Sequence, residues 1–280
     1  MIIVRLIGRL GNQLFQYAFA MSVQKRLGTY VVMDDRHMGN VVTRWFDVQG
    51  LYQNRWLNRI VYRLHRFPML YQEGDEDVQT FLATQVKNST DYFAYFQSEA
   101  FFPDIKDTVR ERFRIKPRYQ EEFRNKYGEL FAGNRILAIH YRIGDYIHWH
   151  KEALGSKDLT LPESYYRNAL ASIPDLDDYL VVLVTDDIET CDRRTSYLKS
   201  KKIISDTEIM DFQVMMNAEK LIIANSTFGW WAAYLNTKNA RVFAPEYWLG
   251  FKVEKEFPDG IIPERFTKVR VGYKWETQDR

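Results

Sequence analysis

Leu221-Ile-Ile-Ala-Asn-Ser-Thr-Phe-Gly-Trp-Trp-Ala-Ala-Tyr-Leu-Asn236 is the stretch whose reading decides the fold. Its first four residues form a short apolar run of the kind that fills a buried strand, and the residues from Phe228 onward read as a helix. Ser226 and Thr227 between them are helix N-cap types, so a strand end passes directly into a helix start. The N–H groups at such a start are a ready anion site. The same alternation extends outward. Strands are predicted at 135–140, 179–184, 202–204 and 241–244, with helices over 163–172, 188–200, 210–219 and 228–236. Strands alternating with helices imply a parallel sheet covered on both faces.

The N-terminal part opens in the same way. Ile2, Ile3, Val4 and Leu6 read as a strand, Gly8-Arg-Leu-Gly11-Asn12 as a turn, and Leu14, Phe15, Ala18, Phe19 and Val23 as one face of a helix stopped by Gly28. Residues 30–33 supply the next strand. A chain of 280 residues accommodates two such α/β domains, with a boundary expected in the polar stretch 118–134 and domains over 1–130 and 131–280. Ligands of open α/β sheets sit at the carboxyl ends of strands. The places to look are therefore 8–12, 140–145, 185–187 and 225–231.

Composition narrows the function. Apolar residues make up 46% and charged residues 27%, ordinary for a globular protein. No run approaches the roughly 20 apolar residues of a membrane span. The one cysteine, Cys191, excludes an internal disulfide and a cysteine metal cluster. The opening MIIVRLIG does not read as a secretory leader, so a cytoplasmic protein is expected. The first 70 residues hold ten Lys/Arg against three Asp/Glu, which suggests an anionic partner. No nucleic-acid partner is expected.

Residues 51–67 are predicted to be an amphipathic helix, Trp56, Ile60 and Leu64 forming an apolar stripe beside Arg55, Arg59, Arg63 and Arg66. Peripheral contact with the inner face of an anionic membrane is one reading. The preferred one is a surface helix packed by that apolar side.

His140-Tyr-Arg142-Ile-Gly144-Asp145-Tyr146 follows a buried strand. An arginine there is placed to hold a phosphate, because its planar fork gives parallel hydrogen bonds to oxyanions. Transfer of a sugar from a nucleotide donor needs this help, since the departing diphosphate gains charge as the glycosidic bond breaks.

Five blocks, in order, resemble the bacterial α-1,2-fucosyltransferases, family 11 of the glycosyltransferases. They are the segment from Gly8 to Phe19, Tyr95-Phe-Gln-Ser-Glu99, His140 to Tyr146, Thr185-Asp-Asp187, and Ile222 to Ala233; Ile262-Pro-Glu264 also fits. The resemblance implies a GT-B-like α/β fold with two Rossmann-like domains facing across a cleft, and an inverting transfer without cofactor or metal. It implies a GDP-fucose donor and a glycan or lipid-linked oligosaccharide acceptor in polysaccharide synthesis, with the 2-hydroxyl of a terminal galactose as target. It further implies that Arg142 grips the donor diphosphate and that His140 and Asp145 line the same pocket as candidate proton acceptors. Asp186, Asn225, Ser226 and Thr227 are implied donor contacts, and Gly8, Gly11, Asn12 and Gln13 face the cleft from the N-terminal side. The family has two consecutive arginines where this chain has Arg142-Ile143.

Three competing readings are weaker. Asp75-Glu-Asp77 and Asp175-Leu-Asp177 fit the Asp-x-Asp pattern of metal-dependent transferases, but neither follows an apolar strand, and His148-Trp-His150 could hold a metal with a third partner, though such pairs in loops are usually incidental. Gly8-x-x-Gly11 is not a dinucleotide fingerprint. A carbohydrate-binding protein without turnover has only Ile143 in its favour.

Overall fold

The computed structural model describes residues 1–72, 77–148, 154–155 and 158–272. The chain forms two compact units, Met1–Gln120 with Pro258–Pro263, and Glu121–Phe257 with the residues from Glu264 on. The division falls at 120/121 rather than 130/131. The polar stretch expected to separate the halves is itself a helix, Pro117–Gly133, which the division cuts.

The N-terminal unit runs β1 (Ile2–Arg5), α1 (Leu10–Leu27), β2 (Val31–Asp34), α2 (Val42–Trp45), β3 (Phe46–Val48), α3 (Arg55–Leu64), β4 (Met69–Tyr71), α4 (Val78–Thr84), β5 (Asp91–Phe93), α5 (Val109–Arg112) and β6 (Phe113–Ile115). Its main sheet is parallel, in the order β2-β1-β5-β4. β3 and β6 form a separate antiparallel pair. Leu10 to Val23 of α1 is buried almost throughout, as expected of a helix apolar on all sides. α1 stops at Gly28, whose φ of +58° is the left-handed cap that glycine adopts without steric penalty. Phe19 stacks on Phe96 with ring centroids 3.7 Å apart and meets Tyr92 edge-on at 5.3 Å. That stack holds Phe96 at a φ of +53°, unusual for a bulky residue, and turns the chain sharply after β5.

The C-terminal unit runs α6 (Pro117–Gly133), β7 (Ile136–Tyr141), α7 (Glu163–Ala171), β8 (Leu180–Thr185), α8 (Ile188–Arg194), β9 (Lys201–Ile204), α9 (Glu208–Met216), β10 (Lys220–Ile222), α10 (Thr227–Tyr234), β11 (Arg241–Pro245) and β12 (Thr267–Val269). All six strands are parallel, ordered β12-β11-β10-β7-β8-β9. The chain winds outward from β7 to β9, crosses back to β10 beside β7, and winds outward again. This is the doubly wound order, and its switch point lies between β7 and β10. Trp230 and Trp231 are both fully buried, so both serve the core. Cys191 is also fully buried, and desolvation pushes its thiol up to about 11.

The helix expected over 51–67 is α3, but it packs by the other side. Val61 and Asn58 are buried, Val61 against Ile3 and Val32, while the Tyr62 hydroxyl donates to Met33 O at 2.6 Å. Trp56, Ile60 and Leu64 face outward.

Phe19→Ala should empty the middle of the Phe96–Tyr92–Phe81 aromatic cluster. A loss of about 3–5 kcal/mol is expected, read as a lowered midpoint of urea denaturation.

Candidate active site

Arg142 leaves the carboxyl end of β7, and its Nη1 lies 2.8 Å from Asp186 Oδ2. The second carboxylate oxygen of Asp186 accepts from Ile143 N–H at 2.9 Å. Asp186 sits just past β8, so one side chain ties the ends of two adjacent strands together and fixes the guanidinium. A Cβ on Gly144 would stand 2.2 Å from Asp186 Oδ2, so glycine there lets the carboxylate approach. The Tyr146 ring lies 5.7 Å from the Arg142 guanidinium carbon, and its hydroxyl donates to Asn225 O at 3.1 Å. Tyr146 thus links the β7 end to the β10 end. Both oxygens of Asp186 are engaged, by Arg142 and by Ile143, so the carboxylate positions the guanidinium. Ile143 is buried in the apolar cluster with Tyr141, Leu137 and Tyr166. The position where the family has its second arginine points into the core here, and a branched alkyl chain suits it.

His140 is the penultimate residue of β7, and its ring is buried against the first turn of α10. Phe228 lies 5.8 Å away between centroids, and a Cβ on Gly229 would come within 2.5 Å of His140 Nδ1. Burial, reinforced by the Arg142 charge, depresses its pKa from 6.5 to about 3. His140 is therefore neutral at physiological pH and a weak proton acceptor, contrary to the catalytic role expected of it. Ser226 takes the N-cap position of α10 with an extended backbone, and its side chain makes no capping bond. Thr227 is the first helical residue. The amino end of α10 and Arg142 thus flank the switch point of the sheet, the one from β10 and the other from β7.

Several expected site residues have other work. Asn225 is buried, donating from Nδ2 to Leu159 O at 3.0 Å. It staples a neighbouring loop. In the N-terminal unit Gln13 is buried too: Nε2 donates to Gly39 O at 3.1 Å and Oε1 accepts from Val41 N–H at 2.8 Å. It fastens the segment after β2 and presents nothing outward. Gly8 has a φ of +73°, and a Cβ there would overlap Asn12, whose Oδ1 accepts from Gln97 Nε2 at 2.8 Å. Gly11 is buried in α1. Gln16, which the sequence did not single out, accepts from Ile7 N–H at 3.1 Å and donates to Ala94 O at 3.1 Å. Its only signal was a polar residue on the inward side of an apolar helix.

Asp145 lies on the 3₁₀ turn Gly144–His148, with its side chain outside the described residues, as is that of His148. Trp149, His150, Asp75 and Glu76 also lie outside them. Asp77 caps α4, accepting from Thr80 N–H at 2.7 Å. Asp175 pairs with Lys220, with Arg135 nearby. Among the described residues no three His, Cys, Asp or Glu side chains converge as metal ligands.

The model of glycosyl transferase family 11 matches residues 1–259. The chain belongs to glycosyl transferase family 11. It is accordingly an enzyme, a glycosyltransferase. Among its relatives, the α-1,2-colitosyltransferase of Escherichia coli is 27% identical, covering 96% of this chain and 98% of its own. The O-antigen biosynthesis glycosyltransferase WbnK of Escherichia coli is 26% identical, covering 86% and 92%. Among solved structures, the NodZ α-1,6-fucosyltransferase of Bradyrhizobium, soaked with GDP-fucose, superposes with a TM-score of 0.52 at 18% identity, over 84% of this chain and 91% of NodZ. A mutant of Arabidopsis thaliana FUT1 in complex with GDP gives 0.54 at 10% identity, over 87% and 70%. These likenesses make the family 11 fold seen here GT-B-like.

Because the folded pKa of His140 lies below its unfolded value, burying the neutral ring stabilises the protein fully above about pH 6.5. That contribution is lost as pH falls from there towards about 3, since the unfolded chain takes up the proton first. Between pH 7 and pH 5 the wild type should lose about 2 kcal/mol more stability than His140→Asn, measured by urea denaturation.

Proposed function

We propose that this enzyme transfers L-fucose from GDP-fucose, with inversion, to the 2-hydroxyl of a terminal galactose in a bacterial surface polysaccharide. The observation that carries the donor reading is the pairing of Arg142 with the amino end of α10 across the switch point of the C-terminal sheet. A guanidinium and a helix amino end together favour a diphosphate, and both favour it more as negative charge builds during departure. The GDP-fucose in NodZ and the GDP in FUT1, proteins of like fold, support the same donor class. The O-antigen role in the name of one relative supports a glycan acceptor.

In this reading Asp186 holds Arg142 at the position where the leaving oxygens develop charge. Ser226 and Thr227 offer hydroxyl and N–H groups to the β-phosphate. Asp145, on the turn after Arg142, takes the acceptor proton, a role for which neutral, buried His140 is poorly suited. The fixed positive groups serve the diphosphate without a divalent metal. The enzyme works in the cytoplasm, where Cys191 stays a thiol.

A second donor has a specific observation behind it, the relative named for colitose at 27% identity. Colitose is fucose without its 3-hydroxyl, so the two donors differ at one polar group. A site that hydrogen-bonds that hydroxyl would reject GDP-colitose strongly, and an apolar one would discriminate weakly.

Release of GDP from both donors, with a galactose-ended acceptor and linkage read by mass spectrometry, decides between them. GDP-fucose is expected to be preferred; glycan binding without any GDP release would remove the transferase reading for this donor class. Arg142→Ala should lower kcat/KM by roughly 10²–10³ with the fold retained. Asp186→Asn should fall between it and the wild type. Near-native kinetics in Arg142→Ala would take Arg142 out of the mechanism. EDTA should leave the rate unchanged, and a loss restored by Mn²⁺ would overturn the metal-free proposal.

A further inference from the structure

α3 carries an apolar stripe that nothing in its own unit covers. Tyr52, Trp56, Ile60 and Leu64 follow one another at four-residue intervals and are 69%, 76%, 53% and 69% exposed. Four residues is just over one turn, so Trp56, Ile60 and Leu64 share a face of α3, and Tyr52 is exposed in the segment that leads into the helix. That face is distinct from the side formed by Asn58, Val61 and Tyr62, which packs on the N-terminal unit. Exposed large side chains scattered singly need no explanation, but a contiguous row on one helix does.

The charge around the row identifies its partner. Arg59, Arg63 and Arg66 are exposed beside it, and the Arg59 guanidinium lies 6.0 Å from the Trp56 ring. From Val48 to Gln72 the chain has four arginines and no Asp or Glu. A second copy of this chain on the same face would bring cations against cations in a two-fold contact. A helix of 10 residues is about 15 Å long, half of what a bilayer span needs. No described helix is long and apolar enough to cross a membrane.

We propose that α3 is a peripheral anchor lying in the headgroup plane of an anionic bilayer. Tyr52, Trp56, Ile60 and Leu64 enter the acyl boundary, and Arg59, Arg63 and Arg66 meet lipid phosphates. Trp56 and Tyr52 are the side-chain types that settle at such a boundary, with an apolar body and one polar group. This role is independent of the donor assignment, and it would hold the enzyme where a lipid-linked acceptor is presented.

Flotation of the full-length protein with vesicles of phosphatidylcholine alone, or with about one third phosphatidylglycerol, tests it. Each arginine near an anionic surface contributes roughly five-fold to partitioning. The wild type should bind the anionic vesicles at least ten-fold better than the neutral ones, and less well at high salt. Arg59→Glu with Arg63→Glu should abolish binding, and Trp56→Ser with Leu64→Ser should reduce it at least ten-fold. All four positions are exposed, so melting curves should be unchanged and would expose a folding defect. Equal partitioning of wild type and charge-reversed protein, or no binding to anionic vesicles, would overturn the anchor. So would a wild-type dimer, seen in sedimentation, that Trp56→Ser with Leu64→Ser dissociates.

Discussion

The ion pair between Arg142 and Asp186 fixes the geometry on which the reactive end of the C-terminal sheet depends. A half-buried guanidinium without a partner would swing towards solvent, and a carboxylate beside a strand end would repel an incoming diphosphate. Paired, the carboxylate is neutralised locally and the cation is held at one place between β7 and β8. Gly144 is part of the same arrangement, since any side chain there would displace Asp186. Tyr146 carries the constraint to the β10 end, where α10 begins. Three strand ends are thus locked to one another before any ligand arrives, the preorganisation that electrostatic stabilisation of a transition state requires.

The N-terminal unit uses its own motif differently. Gly8-Arg-Leu-Gly-Asn-Gln looks like a loop built to approach a ligand, yet Gln13 and Gln16 point inward and bind backbone groups of the segments after β1, β2 and β5. A buried primary amide can satisfy both a carbonyl and an N–H, which suits it to holding irregular loops whose own ladders have ended. The motif shapes the carboxyl edge of the sheet from beneath, and Asn12 with Gln97 remains nearer its surface.

Much of this was legible in the chain. Val181 to Val184 and Ile136 to Ile139 are unbroken apolar runs because a central parallel strand is buried on both faces, and such runs announce themselves. β4, β5 and β12 have three residues each, too few to show a period. The turn after β11 was equally silent: Tyr247 and Trp248 adopt φ values of +64° and +54° with no glycine to mark them. Side-chain roles were harder. Asn225 and Gln13 carry the same groups whether they bind a sugar or a loop, and only burial separates the two. For α3 the period revealed two faces, but not that Val61 and Asn58 would be covered and Trp56 left outside.

The isolation of Cys191 has a practical side. It is buried in the apolar cluster that also holds Tyr141, Tyr166 and Leu183, and the thiolate is disfavoured at neutral pH. A maleimide probe would therefore find no native target, and a thiol introduced on the solvent side of either unit would be labelled alone. Distances within this enzyme can be followed by fluorescence or spin labels without first removing a natural cysteine.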